Sequence, residues 1–287
     1  MALRLGGRVF DDRALLVMAV INRTPDSFYD RGATYALDAA LAAVERAVAE
    51  GADLVDIGGV KAGPGDAVDV EEEVNRVVDL VGAVRLSHPA LPISVDTWRA
   101  PVAEAAAAAG ADLINDAWGG FDPDLAIVAA RSGLGLVCTH AGGLPPRTRP
   151  HRVAYPDVMA DIVAVTGRLA TAAIHAGVRA DGILVDPGHD FGKNTWHSLE
   201  ATRRLDELVA GGWPVLVSVS NKDFVGETLD LPVPERLTGT LAVTALCAWL
   251  GARVFRAHNV RETRETLDMV ASVRGDRPPA VTRRGLA

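Results

Sequence analysis

Eight apolar runs in this 287-residue chain end in residues that could do chemistry. Their polar ends are Asn22, Asp56, Asp96, Asn115 with Asp116, His140, Asp186, Ser220, and Arg256 with His258. Any one of these alone serves equally well as a turn or cap residue. Polar ends on all eight runs are not explained by capping. The set mixes carboxylates, amides and cations, so it can hydrogen-bond the edge of a flat heterocycle and also hold an anionic group. Structural zinc is not among the chemistries offered. Cys138 and Cys247 stand far apart in apolar surroundings ("GLVCTH", "TALCAWL"), which points to core filling in a reducing cytoplasm. The glycine-rich stretch "DIGGVKAGPG" (Asp56–Gly65) matches neither the P-loop nor the dinucleotide fingerprint.

The elements that must position these residues alternate along the chain. Strand-like runs are Leu15–Asn22, Asp53–Gly59, Pro92–Thr97, Asp112–Asp116, Gly135–His140, Gly182–Gly188, Pro214–Ser220 and Ala252–Asn259. Amphipathic or alanine-rich segments such as Leu37–Glu50, Glu71–Leu86, Pro101–Ala109 and Tyr155–Ala176 lie between them. Continuous apolar strands alternating with helices predict a parallel sheet covered on both faces. Eight such units predict an α/β fold, a single (β/α)₈ barrel, whose strand ends converge on one rim. Residues 3–12 predict a short N-terminal hairpin. The loop Ala141–Pro156, with four prolines, is long for a βα connection and reads as a lid. One barrel domain over residues 1–275 is expected, followed by a disordered tail over 276–287.

Charge and hydropathy exclude several partners. The net charge of −8 argues against general affinity for nucleic acid or anionic membrane. The longest apolar runs are interrupted by Asp, Arg or Gly, so no membrane span is expected. The first residues lack the apolar centre of a signal peptide, and a cytoplasmic location is the expectation. Of 29 basic residues only Lys61, Lys193 and Lys222 are lysine, and all three follow strand-like runs.

At this point the chain resembles the dihydropteroate synthase family. The stretches that carry the resemblance are "INRTPDSF" (21–28), "DIGG" with "PG" (56–65), "SVDT" (94–97), "IND" (114–116) and "DPGHDFGK" (186–193). They continue through "SNKDFVGE" (220–227), "GTLA" (239–242) and "RAHNV" (256–260), in the family's order and over nearly the whole chain. The resemblance implies a cytoplasmic homodimer of folate biosynthesis. Such enzymes join 6-hydroxymethyl-7,8-dihydropterin diphosphate to p-aminobenzoate and release pyrophosphate with Mg²⁺ assistance. It further implies that Asp96, Asn115 and Asp186 read the pterin and that Phe191 forms an aromatic wall. Lys222 and Arg256 would flank the ring and the departing diphosphate. Asn22, through Mg²⁺, and His258 with Arg256 would hold that diphosphate. Arg256, His258 and Lys222 would be the catalytic set, since loss of pyrophosphate calls for leaving-group stabilisation and positioning.

The departures concentrate on the second substrate. Where the family reads Gly-Glu-Ser-Thr-Arg-Pro-Gly, this chain reads "GVKAGPG" (Gly59–Gly65). Ala62 lacks a hydroxyl, Gly63 lacks a guanidinium, and Lys61 offers a point charge without a bidentate fork. Where the family reads Ser-Arg-Lys-Ser, this chain reads "SNKD": Asn221 loses a cation, and Asp223 sets a carboxylate where the aminobenzoate carboxylate is received. Tyr29 and Arg31 enlarge the first loop, Cys138-Thr139 replaces a methionine-type pair before His140, and Asn259 replaces the usual Asp. The expectation is a homologue with synthase activity lost or nearly lost, retaining weak pterin or inhibitor binding. The rival readings are an active synthase relying on Lys61, a non-enzymatic pterin-sensing or scaffolding dimer, and a methyltransferase barrel acting on methyltetrahydrofolate. "DPGHDFGK" and Lys222 disfavour the last.

Overall fold

Residues 1–24, 32–148 and 154–285 are described in the computed structural model; Tyr29 and Arg31 lie outside them. The hairpin of β1 (Leu3–Leu5) and β2 (Arg8–Phe10) pairs Leu3 with Phe10 and Leu5 with Arg8. There follow β3 (Leu16–Asn22), α1 (Leu37–Ala49), β4 (Leu54–Gly58), α2 (Val70–Ser87), β5 (Ile93–Asp96), α3 (Ala100–Ala109) and β6 (Leu113–Asp116). The chain continues through α4 (Leu125–Arg131), β7 (Gly135–Thr139), α5 (Val158–Ala176), β8 (Ile183–Asp186), α6 (Thr195–Arg203) and α7 (Leu205–Val209). It finishes with β9 (Leu216–Val217), α8 (Asp223–Leu229), α9 (Leu237–Trp249), β10 (Val254–Ala257) and α10 (Val260–Arg274).

The parallel strands run β8-β7-β6-β5-β4-β3-β10-β9, and a bridge between Val185 and Val215 joins the two edges. The expected barrel is therefore present. Strand β9 is shorter than its apolar run. Its run opens with Pro214, which has no N–H to donate, and closes in a turn where Lys222 N–H reaches the Val219 carbonyl at 3.4 Å. That turn lifts Ser220, Asn221 and Lys222 onto the rim.

Two apolar layers hold the barrel. One lies between sheet and helices; its members include Val17, Val55, Ile93, Ile114 and Val185 from the strands, and Val44, Leu80 and Ile162 from the helices. The other fills the bottom of the barrel, where Leu3, Leu5 and Phe10 of the hairpin meet Met18, Leu54, Leu113, Leu184 and Val254. Helix ends follow local chemistry. Asp69 caps α2, its side chain accepting from Glu72 N at 2.8 Å, and three glutamates fill the first turn. Asp157 caps α5 by accepting from Met159 N and Ala160 N.

Helix α5 is long and apolar enough to cross a membrane by length and composition alone. It packs instead as a barrel helix, burying Met159, Ile162, Ala170 and Ala173 on one side and carrying Asp161 and Arg168 elsewhere. Beyond Gly275, residues 276–285 contain neither helix nor strand.

Candidate functional site

At the C-terminal rim the barrel register sets Asp56, Asp96, Asn115 and Arg256 side by side. Gly58 pairs with Asp96 and Asp96 with Asn115, while Asp56 pairs with Val20 and Ser94 two residues lower and Arg256 with Met18, so the polar ends stack in steps that long side chains bridge. Asp56, fully buried, is the hub. It accepts from Ser94 Oγ at 2.6 Å, Asn115 Nδ2 at 3.1 Å and Arg256 Nε at 2.6 Å. The other edge of the guanidinium donates through Nη2 to Asp96 Oδ2 at 2.9 Å. Arg256 is thus bound edge-on by two carboxylates, which fixes its plane. Burial pushes the Asp96 carboxyl up to about 7 despite Arg256, with Asp56, Glu73 and Asp116 adding to the rise.

The loop after β8 brings the next group. Gly188 sits at φ +66°, and a Cβ there would lie 2.1 Å from the His140 carbonyl oxygen, so only glycine fits. Asp186 Oδ1 accepts from Gly188 N at 2.7 Å, which points the carboxylate inward. Lys193 is buried, and its ammonium donates to the carbonyls of His140, Gly188 and Phe191 at 3.0–3.1 Å and to His140 Nδ1 at 2.6 Å. Desolvation pulls Lys193 down to about 7 and His140 down to about 4. Lys222 donates to the His189 carbonyl and lies over the Phe191 ring, 4.5 Å from its centroid. Phe191 also meets Trp118 in a T-shaped contact at 5.1 Å, and Trp118 meets Trp98 at 6.4 Å. This aromatic row, with Val60 and Ala141, is one small apolar cluster on the rim.

His258 and Asn221 complete the far side. His258 Nδ1 and backbone N lie 3.0 and 3.1 Å from Ser220 Oγ, and burial beside Arg256 and Lys222 pushes the imidazole down to about 3. His258 is therefore neutral near pH 7. Asn221 is buried at φ +57°, with its N–H on Thr240 Oγ1 at 3.0 Å and its amide donating to Asn259 at 3.2 Å. Asp223, by contrast, points outward: its side chain is 80% exposed and accepts from Arg236 Nη1 at 2.9 Å. Its charge is offset by Arg236 and directed at solvent.

The "GVKAGPG" loop is held by its backbone. Val60 is buried in the aromatic cluster. Arg76 Nη1 donates to the Gly59 carbonyl at 3.0 Å, Arg99 Nη2 to Val68 at 2.7 Å, and Arg147 to Gly63 at 3.3 Å and Asp66 at 2.6 Å. Three arginines from other segments thus bind the loop and its continuation. Ala62 is exposed. A Cβ at Gly63 would lie 3.8 Å from Lys61 Cε, an ordinary contact, so the backbone leaves room for a side chain at 63 and the sequence supplies none.

A divalent cation has limited material here. Among the described residues no three His, Cys, Asp or Glu side chains cluster as a metal site. Asn22 Oδ1 and Asp96 Oδ2 each lie 3.9 Å from where a Cβ of Gly58 would stand, and Asp96 Oδ2 already accepts from Arg256 Nη2 at 2.9 Å. Oxygens of this kind are what Mg²⁺ takes together with ligand phosphates.

The family profile described as pterin binding enzyme matches residues 18–258. The chain belongs to the pterin-binding enzyme family. It is 58% identical over 286 residues, 98% of each chain, to a protein of Mycobacterium leprae (strain TN) named inactive dihydropteroate synthase 2. The Yersinia pestis dihydropteroate synthase, solved with a sulfonamide drug complex, superposes with a TM-score of 0.90 at 35% identity, over 96% of this chain and 100% of that one. The Xanthomonas albilineans dihydropteroate synthase, solved with 4-aminobenzoic acid, gives 0.86 at 36% identity, over 98% and 99%.

Within this member of the pterin-binding enzyme family, the structure brings Asp96, Asn115, Asp186, Phe191, Lys222, Arg256 and His258 to one rim, with Asn22 and Asp96 both approaching Gly58. Asn221 is close by, whereas Asp223 faces away. Sequence reasoning missed Asp56 as the hub, Lys193 as the tie of the β8 loop, and Asp190. For Lys193 a signal existed: it is one of only three lysines in the chain.

Proposed function

We propose that this chain is a dihydropteroate synthase paralogue that holds a pterin without condensing it with 4-aminobenzoate. The observation that carries this reading is the contrast between two halves of one rim. The Asp56–Arg256–Asp96 network is complete, with Asn115 and Asp186 beside it. The loop expected to close over the second substrate carries Ala62 and Gly63, which offer neither a hydroxyl nor a guanidinium. The name of the Mycobacterium leprae relative supports absent turnover.

On this reading Asp96, once released by a shift of Arg256, accepts two N–H groups from the aminopyrimidine edge, and Asp186 faces the ring from the opposite side. Phe191 offers its face, and Lys222 approaches the ring from the same side. Arg256 and neutral His258 supply donors for a phosphoryl tail. Mg²⁺, when bound through Asn22, would add charge neutralisation on that tail. Replacing Asp96 by Ala removes a charge-assisted pair of hydrogen bonds, which lowers pterin affinity roughly 10- to 150-fold. Calorimetric titration with a pterin measures it. Unchanged affinity in Asp96→Ala, with the same melting temperature, would remove this cradle from the function.

A homodimer through α9 and α10 belongs to the same reading, as does a cytoplasmic location. Leu246 and Trp249 of α9, with Met269 and Val273 of α10, are each more than half exposed. A continuous apolar face of this kind is expected to be covered by a second copy. Sedimentation at micromolar concentration should give twice the 30.1 kDa chain mass, and Trp249→Glu should return it to the monomer. A monomeric parent protein would exclude the dimer.

A further inference from the structure

The "DPGHDFGK" stretch places an aspartate at a backbone position that aspartate adopts at a cost. Asp190 has φ +65°, in the left-handed region that glycine occupies freely and most side chains resist. Its carboxylate is built into the rim. Ser198 Oγ donates to Oδ1 at 3.1 Å and, with its lone pair, takes the Asp190 N–H at 3.1 Å. Oδ2 accepts from the Phe224 N–H at 3.2 Å. Every contact here is a donation to the carboxylate, the pattern of an ionised group.

Burial raises the Asp190 carboxyl above its ordinary range; Lys222 and the Phe224 N–H work against that rise, and Asp223 adds to it. Lys222 in turn faces Asp190, Asp186 and Asp223, and its own ammonium is donated to the His189 carbonyl. Phe191, the aromatic wall, immediately follows Asp190 in the chain. A ligand stacking on Phe191 and reaching toward residues 222–224 therefore meets a fixed carboxylate whose counter-charge is in use. Asp223, turned outward onto Arg236, is not that obstacle.

We infer that Asp190 is a specificity-determining residue that bars aryl carboxylates from the compartment beside Lys222 and Phe191 and leaves it to neutral aromatic ligands. The inference rests on the pterin reading above, since it concerns the ligand accommodated next to the pterin. It differs from the loop argument in placing the barrier in a charge that is present. Like-charge repulsion at contact distance in partly buried surroundings is large enough to reverse a ligand preference.

The test compares 4-aminobenzoate with its uncharged amide, 4-aminobenzamide, titrated calorimetrically into protein preloaded with 6-hydroxymethylpterin. The parent should bind the amide at least tenfold more tightly than the acid. Asp190→Asn keeps the shape and removes the charge; affinity for the acid should rise at least tenfold while that for the amide changes less than threefold. Asp190→Gly, which accepts φ +65° without strain, should behave alike and guards against a folding artefact of the Asn variant. Equal binding of acid and amide by the parent, an equal gain for both ligands in the variants, or no binding of either ligand by any of the three proteins would overturn the inference. Pterin titrated alone reports separately on the reading beneath it.

Discussion

Replacing Asp56 by Ala should destabilise the protein by about 3–5 kcal/mol, because it strips a buried guanidinium of its main partner. Arg256 would keep only Asp96, and Ser94 and the Asn115 amide would each lose the Asp56 oxygen that accepts from them in a buried setting. Thermal unfolding should begin on the order of 5–10 °C lower. Pterin affinity should fall with it, since Asp56 sets the planes of Asn115 and Arg256. A double-mutant cycle separates the charge from the shape: Asp56→Ala with Arg256→Met should cost clearly less than the sum of the single changes. Strict additivity, or a single variant as stable as the parent, would show that the hub is not what orders the rim.

The largest expected gain is catalytic. A variant carrying Ala62→Thr, Gly63→Arg, Asn221→Arg and Asp223→Ser should form measurable dihydropteroate where the parent forms almost none. The structure adds two conditions. An arginine at 63 begins in ordinary contact with Lys61 Cε, 3.8 Å away, so the two side chains must share one loop. Arginine at 221 must adopt φ +57°, which costs about 1–2 kcal/mol. The four changes serve one ligand, so each alone should do little. Adding Asp190→Gly should raise the rate further. Robust turnover by the parent would refute the loss of activity, and a silent five-fold variant that still binds pterin diphosphate would move the defect to the pyrophosphate side, around Arg256 and His258.

Much of this arrangement was legible in the sequence because it is periodic. Apolar runs of strand length, each closed by a polar residue, give a barrel and a rim without any knowledge of contacts, and the hairpin expected over residues 3–12 is present. What stayed hidden depends on direction at a single residue. Asp56 looked like one strand end among eight; only the register shows three donors converging on it. Asp190 and Asp223 are both acidic residues beside functional lysine or phenylalanine, yet the left-handed backbone at 190 turns one toward Phe224 while the start of α8 turns the other onto Arg236. The arginines that bind the "GVKAGPG" loop come from α2, the β5–α3 connection and the β7–α5 connection. Long flexible side chains acting on distant carbonyls leave no spacing to read.

The hairpin beneath the barrel has a consequence for synthesis. Leu3, Leu5 and Phe10 find their apolar partners on β3 through β10, and Arg253 at the start of β10 donates to the carbonyls of Met1 and Asp11. The hairpin segment therefore completes its contacts only once β10, near the other end of this sequence, has been made. Those contacts span 252 and 242 residues. At about 5–20 residues per second the wait is on the order of 10–50 s. During that time two short apolar strands are exposed with no surface to cover them. A helper that shelters the emerging hairpin would act on yield rather than on stability, and substitutions that make the hairpin more polar should ease production in the cell even as they weaken the finished barrel.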